Sequence, residues 1–132
     1  MPHLQTFLID SVSAVTEEMR GQIVVTGSHG GISAAHLALA HPLALVVFND
    51  AGVGLDNAGI RSLEILQAHG VAACTVSHLS ARIGEAESTL HTGQISHANP
   101  LAQAAGIASG QMCSDAISFF AKPLLDRGIV RE

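Results

Sequence analysis

The sequence predicts an α/β domain on a mostly parallel sheet of about four strands, and three observations carry that expectation. Short β-rich apolar runs alternate with segments of helical period, the runs lack apolar–polar alternation, and the chain of 132 residues is the size of one domain. The runs are Ile23-Val24-Val25-Thr26, Ala44-Leu45-Val46-Val47-Phe48 and Val71-Ala72-Ala73-Cys74-Thr75-Val76. A strand that is apolar on successive residues needs cover on both faces, as parallel sheets have.

The remaining elements follow in chain order. Leu4 to Ile9 reads as a further strand, and Thr16-Glu17-Glu18 as the start of a short helix whose acids favour its positive end. Ile32, Ala35 and Leu39 share one face of a helix that His41-Pro42 stops. Asp56 or Asn57 is placed to cap a helix carrying Ile60, Leu63 and Leu66 inward, which Gly70 ends. Glu85 and Glu87 begin a short helix as exposed first-turn acids, and the segment with His91, Gly93 and His97 reads as a lid over the strand ends. Asn99-Pro100 opens one long helix or two, reaching Lys122-Pro123 and rich in the small residues Ala102, Ala105, Gly106, Ser109 and Gly110. Strand, helix, strand, helix, strand at this spacing means parallel pairing through right-handed crossovers. The expected architecture is a single domain over 1–132, a doubly wound, Rossmann-like three-layer sandwich.

Composition narrows the function. Only 13% of the residues are Asp, Glu, Lys or Arg, against roughly 25% in an average soluble domain. Six Lys and Arg, scattered, with no Trp or Tyr and a net charge of -5, give neither the basic stripe nor the stacking aromatics of a nucleic-acid binder. No apolar run approaches the ~20 residues that cross a bilayer. Met1-Pro2-His3 lacks the basic flank of a signal peptide, so a cytoplasmic protein that avoids membranes is expected. Cys74 and Cys113 have no CxxC spacing and read as reduced, buried thiols.

Ligands of open α/β sheets bind beyond the carboxyl ends of the strands, which selects three loops. The first, Gly27-Ser28-His29-Gly30-Gly31, permits close approach of backbone N–H groups to an anion, or close packing of the chain on itself. It is neither GxGxxG nor a P-loop, so no cofactor is implied. The second holds Asn49 and Asp50, polar residues at a strand end that face a ligand or cap the next turn. The third holds His78, suited to proton transfer near neutral pH, and Arg82, suited to clamping a carboxylate.

The stretch Ile23 to Pro42, IVVTGSHGGISAAHLALAHP, resembles the nucleophile elbow of the α/β-hydrolases in its strand, sharp turn, double glycine and alanine-rich helix. That resemblance implies Ser28 as nucleophile and the His29 N–H as one oxyanion donor. It departs at Thr26, where the motif has glycine, so the likeness is one of local geometry over twenty residues. The same residues are similar to the glycine turn of universal stress proteins, without that family's later Gly-Ser or Gly-Thr pair.

If the three strands are neighbours, Ser28, Asp50 and His78 emerge on one rim as nucleophile, orienting acid and base. A metal set of His29, His78 and Asp50 is the rival use of the rim, but no HxH, HxxxH or HExxH spacing supports it, so no metal is expected. The sequence thus predicts an enzyme acting on a small polar or anionic molecule by acid–base or nucleophilic catalysis. Hydrolysis of an amide or ester comes first, and a lyase or isomerase next. Catalysis would rest on Ser28, His29, Asp50 and His78, and binding on Gly27, Gly30, Gly31, Asn49 and Arg82. The alternative is a non-catalytic ligand-binding or assembly module. In either case the shortage of surface charge points to a homo-oligomer.

Overall fold

A computed structural model describes residues 4–122. Five strands form one sheet in consecutive order: β1 (Thr6–Ile9), β2 (Ile23–His29), β3 (Leu45–Asn49), β4 (Ala72–Val76) and β5 (Ile95–Ala98). The first four are parallel and β5 runs antiparallel to β4. The helices are α1 (Ile32–Ala38), α2 (Arg61–Ala68), α3 (Ala86–His91), α4 (Pro100–Ala104) and α5 (Cys113–Ala121).

The continuous apolar runs are covered on both sides. Val25, Val47 and Cys74 pack with Ala102 of α4 and with Cys113, Ile117 and Phe120 of α5. Their neighbours Val24, Val46 and Ala73 pack with Ala35 of α1, Leu66 of α2 and Val12 from a short 3-10 helix, Val12–Ala14. Such alternation of partners is what a strand buried on two faces requires.

Asn99 ties the second half together. Its side-chain oxygen accepts from the N–H groups of Ala102 and Ala73, and its amide donates to the carbonyls of Leu63 and Val71. The expected helix cap therefore also joins α2 and β4 to α4. The helical segment it opens is two helices, with α5 ending at Ala121; Pro123 lies outside the described residues. Thr16-Glu17-Glu18 leads into a single 3-10 turn, Glu17–Met19.

Three expectations need correction. The sheet has five strands, because the segment expected as a lid supplies β5, held at the edge by Ile95 and Gly93 bonding to the 110–113 segment. His97 therefore lies in the sheet. The glycine turn is shorter than expected: Gly27, Ser28 and His29 belong to β2, with His29 paired to Asn49 across a register shift, leaving only Gly30 and Gly31 as the turn. Finally, Asp56 and Asn57 do not cap α2. They adopt left-handed backbone (φ 56 and 59) inside a 3-10 segment, Leu55–Ile60, and α2 starts at Arg61. Gly59 explains the delay: it packs so closely on the Asp50 carbonyl that a Cβ would collide with it, so the chain folds back on the end of β3 before the helix can begin.

The strand order never reverses along the sheet, yet the connections change face. The segment after β3 leads to α2 on one side, whereas the segment after β4 leads through Ala81 to α3, whose Leu90 packs on the other. The chain diverges between the carboxyl ends of β3 and β4. Divergence of this kind opens a crevice at the rim of an α/β sheet.

Candidate functional site

Asp50 and His78 occupy that divergence. Asp50 follows β3, donates its N–H to the Val76 carbonyl, and is 5% exposed. Its Oδ1 accepts from the N–H groups of Gly52 (2.8 Å) and His78 (3.0 Å) and lies 3.4 Å from His78 Nδ1. Burial pushes the Asp50 pKa up. The N–H of Gly52, the Ser96 hydroxyl, the N–H of His78 and the charge of its ring together outweigh burial and hold it below its ordinary value. A bulge in the β4–β5 pairing, where Ser96 and His97 face Thr75, brings Ser96 to this point; its Oγ lies 2.9 Å from Thr75 Oγ1.

The His78 side chain is 45% exposed, so one edge faces Asp50 while the ring reaches solvent. It lies beside Gly52, whose left-handed backbone (φ 77) is the conformation glycine adopts without strain. Beyond the ring opens a cleft of about 610 Å³ lined by His78, Leu79, Arg82, Glu85, Glu87 and His91, among others. Leu79 on its wall is 86% exposed.

Two of the other expected site residues, Gly27 and Asn49, hold a strap. The chain after β4 crosses the ends of β3, β2 and β1 in turn. Buried Asn49 donates its side-chain amide to Ala81 O (3.1 Å), Gly27 O accepts from Gly84 N–H (2.7 Å), and Asp10 Oδ1 accepts from Ala86 N–H (3.0 Å). A Cβ on Gly27 would run into Gly84 and Glu85, so this glycine admits the strap. Gly30 packs on Gly59 and Ser62, and Gly31 lies against the His29 ring. Ser28 Oγ accepts from Val12 N–H at 2.9 Å, and no hydrogen bond joins it to Asp50 or His78 among the described residues. Asn49 Oδ1 is engaged too, by Ala51 N–H. The structure brings His78 and Arg82 to one opening with Asp50 buried behind His78, places Gly27 and Asn49 beneath the strap, and bonds Ser28 to Val12 instead.

Asp10, Gly52, Gly59 and Ser96 carry no signal of their own in the sequence; each acts through a partner remote along the chain. Glu87, an exposed first-turn acid as expected, forms a 3.0 Å pair at the cleft wall with His91, a residue expected in the lid. Among the described residues no three His, Cys, Asp or Glu side chains form a group that could hold a metal ion, and no helix is long and apolar enough to cross a membrane. Comparison with protein-family models, curated proteins and solved structures finds no match.

Proposed function

We propose that this chain is a small enzyme that performs acid–base chemistry on a small polar or anionic metabolite, with Asp50 orienting His78, His78 moving the proton and Arg82 holding the anion. The observation that carries this reading is the Asp50–His78 pair: a buried carboxylate, kept ionised by hydrogen bonds, beside an imidazole that opens onto a cleft. A buried acid beside a half-exposed imidazole fixes the ring's tautomer and stabilises the imidazolium that forms when it takes a proton. Hydrolysis of an amide or ester is the leading reaction. His78 would activate water directly, since Ser28 Oγ is engaged by Val12 rather than by a base.

The test is turnover of 4-nitrophenyl acetate and of a simple acyl 4-nitroanilide by wild-type, His78→Gln and Ser28→Ala protein. The reading expects activity lost in His78→Gln, by a factor of about 10²–10⁴, and kept in Ser28→Ala. Activity that survives His78→Gln overturns it, and a wild-type protein inert to both compounds overturns the hydrolase class.

The fold is proposed as Rossmann-like and three-layered, on the strength of helices packed against both sheet faces. A cytoplasmic setting accords with two free, buried cysteines. The second reading, an assembly module, is favoured by α5 and its approach. Met112 and Phe119 are exposed there beside a groove of about 370 Å³, a surface suited to pairing in a homo-oligomer.

A further inference from the structure

We infer that the cleft beside His78 receives an aliphatic α-amino acid, a substrate class that rests on the acid–base reading of the same site. Three features of the cleft converge on it. Arg82 and Glu85 stand three residues apart on the strap with side chains 81% and 54% exposed, and their closest approach is 3.9 Å, beyond hydrogen-bonding distance. Each keeps its donors or acceptors available, and an exposed pair this long holds itself together weakly. Glu87, by contrast, is already engaged by His91. The cleft therefore offers one cation and one anion side by side, which a zwitterion satisfies: carboxylate on the Arg82 fork, ammonium on Glu85. A simple monocarboxylate would pair with Arg82 and leave its own charge beside Glu85.

The third feature is apolar. Leu79, next to His78, lines the same cleft almost wholly exposed, and the loop after β3 passes beside the His78 ring at Gly52, where a Cβ would lie in ordinary contact with it. That loop holds Ala51, Val53, Asp56 and Asn57 at positive φ, including the β-branched Val53 at φ 67. Left-handed backbone is costly for a β-branched residue, and such strain concentrates where a structure holds a group in position for a ligand. A hydrophilic amino acid would leave Leu79 in water, whereas an aliphatic side chain covers it.

The test is binding of leucine, glycine and 4-methylpentanoate to the full chain, read as NMR shift changes of the His78 and Leu79 resonances. Leucine should bind on the order of tenfold more tightly than glycine, from its four further carbons half-covered against Leu79, and more tightly than 4-methylpentanoate, which lacks the ammonium. Leu79→Ser should bring leucine down toward glycine and leave glycine unchanged. Glu85→Gln should abolish the preference for leucine over 4-methylpentanoate, and Arg82→Gln should weaken both. Equal affinity for leucine and glycine overturns the inference, as does 4-methylpentanoate binding as well as leucine. So does a dimer in sedimentation that Leu79→Ser dissolves. If none of the three compounds binds, the amino-acid assignment falls while the acid–base reading still stands or falls on ester and anilide turnover.

Discussion

Gly27→Ala separates a glycine that faces a ligand from one that admits a strap. Gly27 has no positive φ, so alanine brings no backbone strain of its own; the cost lies in the space above the residue. The new Cβ would coincide with the backbone of Gly84 and Glu85, which cannot rotate away as a side-chain tip can. The strap must lift by roughly 1.5 Å to restore ordinary contact distances near 3.5–4.0 Å. That movement breaks the 2.7 Å bond from Gly84 N–H to Gly27 O and loosens its neighbours at Asn49–Ala81 and Asp10–Ala86. Two to three hydrogen bonds at about 1 kcal/mol each, less about 0.4–1 kcal/mol for the reduced freedom of the unfolded chain, leave a net loss of about 1–2.5 kcal/mol. Urea unfolding should show a lower midpoint at unchanged slope, and hydrogen exchange should accelerate at the Gly84 and Ala86 amides. A variant within about 0.5 kcal/mol of wild type, the range of ordinary surface changes, with both amides as protected as before, would refute the strap.

Other outcomes follow from the same contacts. Asn49→Ala strips the partners from Ala81 O and Ala51 N–H and should cost about 2–4 kcal/mol in urea unfolding; a near-neutral result would free Asn49 for a ligand. The folded-state pKa of Asp50 lies below its unfolded value, near 3.9, so its ionised form contributes stability that is complete above about pH 4 and is lost as pH falls through the folded pKa. Asp50→Asn should therefore flatten the fall of the urea midpoint below pH 4; parallel profiles for the two proteins would contradict the hydrogen-bonded carboxylate. Burial raises the Cys113 thiol to about 12 and the Cys74 thiol well above its usual range, with Cys113 adding to the latter. Both should resist iodoacetamide at pH 8 until urea unfolds the chain, and rapid labelling of the native protein would show an open core.

The parts of the fold legible in the sequence are those set by local pattern. Three continuous apolar runs announce β2, β3 and β4, and His41-Pro42, Gly70 and Asn99-Pro100 mark helix ends by chemistry that acts within a few residues. Long-range contacts decide the rest. Strand β2 continues through Gly27 because a strap from residue 84 bonds to it, and no glycine advertises that. Strand β5, with Ser96 and His97, is an edge strand without an apolar run. The start of α2 is postponed by the approach of Gly59 to Asp50. The site divides in the same way. Asp50 and His78 meet because each directly follows a strand and those strands are neighbours, a placement that the runs alone imply. Ser28 follows the apolar run in the sequence but lies inside β2, and its hydroxyl is taken by Val12 from the β1–β2 connection, which has no apolar signature.

The central claim, that Asp50 orients His78 for proton transfer into the cleft, is tested most directly by long-range ¹⁵N NMR of the neutral His78 ring. With Nδ1 3.4 Å from the buried Asp50 carboxylate, the neutral ring should carry its proton on Nδ1 and present a bare Nε2 to the cleft, and Asp50→Ala should shift the proton toward Nε2. A wild-type ring protonated on Nε2, or a tautomer indifferent to Asp50→Ala, would contradict the account.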